Sequence, residues 1–268
     1  MAMGAGTNAA TAEAAELKVL STIAMRQVME DLGPKFERAT GHKLAITFAT
    51  LGGVVKRVQG GETADVVVIP RQGIDSFVKD GKAAAGNVTV IARSGIGVAV
   101  RKGAPKPDIS SPEALKRTLL AAKSITYSNP ALGGASGIHF AKVLDRLGIA
   151  NEMRSKTVFG KTPGGEGVGV LVANGEAEIG VHQFQELIAI AGIELVGPLP
   201  GDLQDTIVFS AAIMGGAKDA ETAKALVDFL RTPEAAAVIK AKGMEPAENS
   251  SRVLVKSRLS VIYNRPSR

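Results

Sequence analysis

Residues 127–140, with the sequence YSNPALGGASGIHF, indicate the fold of this chain most directly. The preceding residues 124–127 predict a short β-strand, and the glycines that follow predict a tight turn. A helix is expected to begin near Ser136, because apolar residues then recur at helical spacing at Phe140, Val143, Leu144 and Leu147. This order aims backbone N–H groups and the positive end of a helix dipole at one point, which predicts an anion-binding site.

The first quarter of the chain repeats this alternation of strand, loop and helix. Strands are predicted over residues 17–20, 44–48 and 65–69, and a helix follows each of them. The third strand is β-branched along most of its length, which is typical of a strand buried on both faces. The alternation predicts an α/β protein with a mostly parallel sheet. Ligands then bind beyond the carboxyl ends of the strands, at loops 21–24, 50–53 and 70–71.

The sequence pattern changes near residues 93–95, and further strands and helices are predicted after that point. Ser111 and Pro112 predict the cap and first position of one helix, and Thr232 and Pro233 predict the start of another. Strands are predicted at 96–101, 178–181, 193–196 and 207–214, helices at 113–122, 170–174, 220–230 and 233–242, and a Gly-rich turn at 161–169.

Composition excludes several functional classes. The chain of 268 residues has no cysteine, which excludes disulfides, a thiolate nucleophile and cysteine metal sites. It contains no apolar run long enough to cross a membrane, so we expect no membrane insertion. The net charge of +6 is concentrated in residues 247–268, where five basic residues oppose one glutamate. With no tryptophan and only two tyrosines, nucleic acid is not an expected partner.

Both termini are expected to be flexible or foreign to the domain. Residues 1–16 are rich in alanine and lack the basic start and apolar core of a secretory signal. Residues 247–268 are basic and rich in serine and arginine. We therefore expect a periplasmic protein if a native signal has been removed, and otherwise a cytoplasmic one.

The chain resembles the type II periplasmic solute-binding proteins of the molybdate-binding-protein-like branch, from about residue 17 to residue 246. No single motif carries this resemblance, but the order and spacing of several motifs do. They are LKVLST at 17–22, FERATG at 36–41, GGETADV at 60–66, SGIHFAK at 136–142, GEAEIGV at 175–181, AKALVDF at 223–229 and TPEAA at 232–236.

The resemblance implies the periplasmic-binding-protein type II fold, with two α/β lobes, a hinge and a ligand cleft between the lobes. The first lobe would combine residues 17–93 with residues 208–246, and the second would comprise residues 94–207. The chain would cross between them near 93–97 and 206–210, and the lobes would close on the ligand by hinge bending.

The resemblance also implies ligand contacts in the first lobe. Molybdate binders carry a serine after the first strand, and this chain has Ala24 there, with Ser21 and Thr22 close by. The second loop, a serine-rich one in those proteins, retains one hydroxyl here, at Thr50, next to Leu51.

In the second lobe, Ser136 and Gly137 keep the family's backbone contact at the start of a helix. Gln183 stands where molybdate binders carry tyrosine. Two of the family's side-chain contacts are therefore absent, which argues against molybdate as the ligand.

Arg71 favours a different anion. It follows a buried strand on the ligand side of the sheet, and a guanidinium fork matches a planar carboxylate. We therefore expect a small organic acid with one carboxylate at the Ser136–Gly137 helix end and another at Arg71. The alternative is that Arg71 only pairs with Asp75, one helical turn later.

The histidines decide between a carrier and a catalyst. His139 is the first candidate for a catalytic base and His182 the second. Because side chains alternate along a strand, one of His182 and Gln183 is expected to point away from the cleft, and Gln183 is expected to face it. The histidines are not spaced as metal ligands, so no metal and no cofactor are expected.

Two functions from different classes follow. The first is a monomeric solute-binding protein that captures a small anion, a carboxylate rather than molybdate, and presents it to an ABC permease. The second is an enzyme on the same fold, since a fold does not fix a function. The branch includes aconitate isomerase-like proteins, which resemble the molybdate binders and shift a proton in an unsaturated polycarboxylic acid.

Overall fold

The computed structural model describes residues 14–160 and 167–247. The predicted tails, apart from residues 14–16 and 247, lie outside the described residues. So does most of the turn predicted at 161–169; its last two residues, Val168 and Gly169, belong to a helix instead.

The described part of the chain is a mixed α/β structure. Its strands are β1 (Glu16–Thr22), β2 (Lys43–Ala49), β3 (Val66–Pro70), β4 (Ala83–Arg101), β5 (Ile125–Tyr127), β6 (Ile179–Gln183), β7 (Ile193–Pro198), β8 (Thr206–Met214) and β9 (Glu245–Pro246). Its helices are α1 (Arg26–Thr40), α2 (Leu51–Gln59), α3 (Arg71–Lys79), α4 (Pro112–Ala121), α5 (Ala135–Arg146), α6 (Ala150–Arg154), α7 (Val168–Ala173), α8 (Phe184–Ile188), α9 (Ala220–Phe229) and α10 (Pro233–Ala241).

The strands lie in the order β2-β1-β3-β8-β4-β6-β5, with β7 and β9 also paired to β4. In the first half, β1 is parallel to both β2 and β3, as the alternation predicts. Val66, Val67, Val68 and Ile69 are fully buried, because helices cover both faces of this central strand.

The prediction of a mostly parallel sheet is wrong for the rest of the molecule. β8 is antiparallel to β3 and β4, and β6 and β7 are antiparallel to β4. The reason is topological: the chain enters its second half along β4 and returns along β8, so these neighbouring strands run in opposite directions.

The strand predicted at 96–101 is also too short, because β4 begins at Ala83. Its first part pairs with β8, and its last part, from Ile96 to Val100, pairs with β6. Residues such as Gly86 and Asn87, which are poor strand formers, are exposed there and accompany a register irregularity. One continuous strand thus connects the two halves of the sheet.

Local signals at helix ends are confirmed. The Ser111 hydroxyl accepts a hydrogen bond from the Ala114 amide at the start of α4, and Thr232 does the same for Ala235 at α10. Of the helices in the described ranges, none is both long enough and apolar enough to cross a membrane.

Candidate ligand-binding site

Two adjoining cavities lie where loops of the two halves meet. The first, called here the inner cavity, offers about 160 Å³ to water-sized molecules. It is bounded by the ends of β1, β3, β5 and β6 and by the first turn of α5. Its polar side chains are Thr22, Thr50, Thr126, Tyr127, Ser128, Asn129, Ser136, His182, Gln183 and Glu186.

Helix α5 points its amino terminus at the inner cavity. Gly134, Ala135 and Ser136 line the cavity, and the helix has no side chain that caps its first amides. These amides carry the positive end of the helix dipole. Thr22 on the opposite wall also precedes a short turn without capping it, so its hydroxyl remains available to a ligand.

A second observation marks the inner cavity as a polar site. The Thr126 hydroxyl lines it and is buried, with no hydrogen-bond partner among the described residues. A buried unpaired hydroxyl costs about 1–3 kcal/mol. A bound acceptor is one way in which that cost is recovered.

Three side chains, those of Ser136, His182 and Glu186, lie in a row on the cavity wall. Ser136 Oγ lies 2.9 Å from His182 Nδ1, and His182 Nε2 lies 3.3 Å from Glu186 Oε2. The same carboxylate oxygen accepts from Gln183 Nε2 at 3.1 Å. One ring nitrogen of the imidazole is therefore hydrogen-bonded, and the other lies beside a carboxylate that Gln183 holds in place.

Gln185 ties this wall to the other half of the molecule. It is buried, and its amide donates to Gln183 Oε1 at 2.9 Å and to the Ala24 carbonyl at 3.4 Å. Its carbonyl oxygen accepts from Ser94 on β4. The loop after β1, the end of β6 and the connecting strand are thus fixed together.

Direct contacts join the loop after β2 to the turn before α5 beside the inner cavity. The Thr50 hydroxyl donates to the Leu132 carbonyl at 2.7 Å and also caps α2 by accepting from the Gly53 amide. Beside it, the Gly52 amide donates to the Gly133 carbonyl at 3.3 Å. The single proton of Thr50 is therefore committed to the other half rather than free for a ligand.

The second cavity, called here the outer cavity, shares Pro70 and Ala135 with the inner one. It offers about 280 Å³ and carries charged side chains from α3, α5 and the start of β8. Its ionisable or charged side chains are Arg71, His139, Lys142 and Asp205.

Two of the predicted site residues lie in the outer cavity. Arg71 is half exposed and binds Asp75 through Nε at 2.7 Å. This is the pairing raised as the alternative for this residue, and it leaves the terminal guanidinium nitrogens without a partner in the described ranges. His139 Nε2 bonds to the Leu203 carbonyl at 2.8 Å, and its Nδ1 lies 3.5 Å from Asp205.

The inner cavity contains most of the other predicted residues: Thr22, Thr50, Leu51, Ser136, Gln183 and His182. Ser21 is not among its lining residues; it is fully buried and donates to the Val68 carbonyl at 3.2 Å. Gly137 is not among them either, and it packs against the backbone of Ser128 so closely that a side chain would overlap it.

The expectation that His182 and Gln183 face opposite sides is wrong, because both line the inner cavity. Gln183 is the last residue of β6 and the N-cap position of α8, so strand alternation ends at that point. The residues that sequence reasoning missed include Glu186, Thr126, Ser128 and Lys142. The spacing of His182 and Glu186 was a usable signal, but it required knowledge that the intervening chain turns into a helix.

Electrostatics distinguish Tyr127 on the cavity wall. Burial raises the pKa of its phenol above the ordinary value, and the charge of Asp145 adds to the effect. A hydrogen bond with Thr157 acts in the opposite direction. Within residues 14–160 and 167–247, no three His, Cys, Asp or Glu side chains are grouped as metal ligands.

The architecture is that of periplasmic binding proteins. The periplasmic molybdate-binding protein of Azotobacter vinelandii superposes with a TM-score of 0.67, at 22% identity, over 87% of this chain and all of that one. The model of the family described as "Bacterial extracellular solute-binding protein" matches residues 17–245. The chain belongs to this family.

Its curated relatives have two different activities in their names. An aconitate isomerase from Pseudomonas sp. is 35% identical over 86% of this chain and 87% of its own length. The molybdate-binding protein ModA of Azotobacter vinelandii is 31% identical over 91% of this chain and 95% of its own. Each similarity covers more than four fifths of this chain.

Proposed function

We propose that this protein binds a small organic acid with two or more carboxylates in the cleft between two lobes. One observation carries the proposal. The inner and outer cavities adjoin at Pro70 and Ala135, so a ligand seated at the start of α5 extends towards Arg71 and Lys142.

The inner cavity suits the first carboxylate. The uncapped amides of α5 and the free hydroxyl of Thr22 are donors, and the unpaired hydroxyl of Thr126 completes the set. A tetrahedral oxyanion would need a cage of neutral donors on every side. Here the Glu186 carboxylate stands on one wall and repels any anion, but it repels a compact dianion more strongly than the single charge of one carboxylate.

The outer cavity suits the second carboxylate. The free terminal nitrogens of Arg71 offer the planar fork that carboxylates bind, and Lys142 forms no ion pair within the described ranges. Asp75 pairs with Arg71, and Asp205 lies 3.5 Å from His139, so acidic groups offset part of the positive charge of this cavity. Binding therefore rests on directed hydrogen bonds more than on net charge.

The proposed role is capture and delivery of this acid to an ABC permease, outside the cytoplasm. The family supports such a role, since its members are described as extracellular solute-binding proteins. The division into lobes at residues 17–93 with 208–246 and at 94–207 fits it too. β4 and β8 would serve as the hinge, and the Thr50–Leu132 contact would form on closure.

Thermal unfolding with a ligand panel tests the proposal. The panel is citrate, cis-aconitate, trans-aconitate, molybdate and sulfate at equal ionic strength. A ligand at about 100 times its Kd adds about 2.7 kcal/mol, which raises Tm by about 5–10 °C in a chain of this size. We expect the polycarboxylates to stabilise the protein, and stabilisation by molybdate or sulfate alone would contradict the proposal.

Arg71→Gln tests the outer cavity within this panel. Losing a charge-assisted hydrogen bond should weaken polycarboxylate binding about 10- to 100-fold, measured by calorimetry. Arg57→Gln is the matched control, because Arg57 is similarly exposed and also pairs with one acidic residue, yet lines neither cavity. Equal affinities of the two variants would remove Arg71 from the site.

The second candidate function is isomerisation of an unsaturated polycarboxylate in the same cleft. The similarity to an aconitate isomerase favours it, as does an imidazole on the inner cavity wall. Incubation with trans-aconitate, followed by ultraviolet absorbance, tests for it. Absence of turnover at high protein concentration would leave only the binding function.

A further inference from the structure

The side chains of Ser136, His182 and Glu186 are arranged more specifically than ligand binding alone requires. They come from three elements: the first turn of α5, the end of β6 and the short helix α8. The side chains of His182 and Glu186 are 12% and 22% exposed, and Ser136 is buried. All three line the inner cavity.

The surroundings of His182 favour one tautomer of its neutral imidazole. An ionised carboxylate only accepts hydrogen bonds, so a neutral imidazole is better placed with its proton on Nε2, which lies 3.3 Å from Glu186 Oε2. In that tautomer Nδ1 has a lone pair and accepts the proton of the Ser136 hydroxyl. Gln183 donates to the same oxygen of Glu186 and holds that carboxylate in place. The hydroxyl is thus polarised towards a base that a carboxylate supports.

His139 has no comparable arrangement. Its Nε2 is bonded to a backbone carbonyl, that of Leu203, and it lies in the outer cavity. No hydroxyl group is bonded to either of its ring nitrogens within the described ranges. Although the sequence favours His139 as a base, the contacts favour His182.

We propose that Ser136, His182 and Glu186 form a proton-transfer centre that isomerises the bound unsaturated carboxylate, an inference that rests on the carboxylate-binding function proposed above. Ser136 is the catalytic residue, whose Oγ would contact the reacting carbon of a substrate in the inner cavity. His182 accepts the hydroxyl proton of Ser136 at Nδ1. Glu186 is a positioning residue that stabilises the imidazolium.

The proposed step is a 1,3-proton shift and needs no cofactor. Ser136 Oγ takes a proton from the carbon next to the double bond while its own proton passes to His182 Nδ1. The electron pair of the broken C–H bond forms a new double bond, and the former double bond and its carboxylate hold the charge as a dienolate. That charge faces the amino terminus of α5. The proton then returns from Ser136 to the far carbon, and His182 restores the proton of Ser136.

The experiment combines binding and turnover with trans-aconitate as the probe. Calorimetry measures affinity, ultraviolet absorbance measures conversion, and proton NMR in D₂O measures deuterium entry at the carbons. We expect the wild-type protein to convert trans-aconitate into cis-aconitate and to incorporate deuterium. Ser136→Ala and His182→Gln should keep affinity within a few fold and lose turnover about 10²- to 10⁴-fold.

Further variants separate catalysis from folding. His42→Gln, a histidine outside both cavities, should keep full turnover. Glu186→Gln should change the pH profile of kcat, and Glu186→Asp should restore part of the activity, which a merely structural role would not produce. Tm measurements show that each variant is folded.

Three outcomes are decisive. Wild-type binding without conversion or deuterium entry overturns this inference and leaves the proposed binding function intact. Absence of polycarboxylate binding by the wild-type protein overturns both. Loss of turnover in His139→Gln with full turnover in His182→Gln transfers the proton-transfer role to the outer cavity and overturns the inference.

Discussion

The inner and outer cavities share a wall but differ in how their polar groups are held. In the inner cavity, Ser136 and His182 are hydrogen-bonded, Glu186 lies 3.3 Å from the imidazole, and all three are largely buried. In the outer cavity, Arg71 is a long, half-exposed side chain in an ion pair with Asp75. Fixed groups position reacting atoms, whereas flexible charged groups select ligands by charge and length.

The two histidines illustrate the same difference. His182 is hydrogen-bonded to the Ser136 hydroxyl and lies 3.3 Å from the Glu186 carboxylate, which can stabilise a protonated imidazole. His139 is bonded to a backbone carbonyl and lies near the exposed Asp205. Residue type alone does not distinguish them, and their partners do.

The largest effect is expected from Gly137→Ala, which acts on the packing between the first turn of α5 and Ser128 beside the inner cavity. A methyl group there would overlap the Ser128 carbonyl, so α5 or the turn before it must move. Overpacking of this kind lowers the free energy of unfolding by about 1–3 kcal/mol. Denaturant unfolding measures it, and binding of trans-aconitate should weaken as well.

Gly86→Ala is the matched control for this change. Gly86 lies on an exposed part of β4, and a methyl group there meets no atom within 4 Å. The free energy of unfolding should change by less than about 0.5 kcal/mol. If the two variants are equally stable, the close packing of Gly137 against Ser128 does not constrain the first turn of α5.

A smaller effect is expected from Thr126→Val, which removes the unpaired hydroxyl without changing shape. If that hydroxyl donates to the ligand, affinity should fall about three- to tenfold, while the free energy of unfolding without ligand should rise by about 1 kcal/mol. Ser210→Ala is the control, because the Ser210 hydroxyl is also buried and unpaired but lines neither cavity. Equal ligand affinity in Thr126→Val and the wild-type protein would exclude a contact at this position.

The smallest effect is a pKa shift that reports which cavity holds the anion. Burial raises the pKa of Tyr127 above its ordinary value of about 10. At a pH between the ordinary pKa of the unfolded chain and the raised pKa of the folded chain, the unfolded chain has lost the phenol proton and the folded chain has kept it. The free energy of unfolding therefore falls as pH rises through that window. An anion in the inner cavity should raise the pKa further, and an anion in the outer cavity should change it less.

Ultraviolet titration measures this shift cleanly, because the chain has no tryptophan and only two tyrosines. The difference between the wild-type protein and Tyr127→Phe isolates the Tyr127 phenol. The same difference in the pH dependence of unfolding should show the predicted slope. A midpoint at the ordinary tyrosine value would contradict the effect of burial.

Much of the local structure was predictable from the sequence. The caps at Ser111 and Thr232 lie where predicted, because short polar side chains satisfy the free amides of a first helical turn. The strand–turn–helix at residues 127–140 was predictable for the same kind of reason. Its residues are neighbours in the chain, and their spacing determines what they form.

Contacts between distant segments were not predictable in this way. The early part of β4 was missed, because its exposed residues are weak strand formers that pair only with β8. Glu186 was missed, because its relation to Ser136 depends on where β6 ends and α8 begins. Arg71 was predicted at a carboxylate site, and which cavity it lines depends on the packing of α3 beside α5.

The sequence by itself determined the family, the order of the strands and helices, and a helix that presents its amino terminus to an anion. These follow from motif order, hydrophobic period and capping, which are properties of neighbouring residues. Only the tertiary structure decided that His182 rather than His139 joins Ser136, and that the polar site consists of two cavities. The reason is geometric: strand pairing through β4 and β8 sets the distances between side chains far apart in the chain.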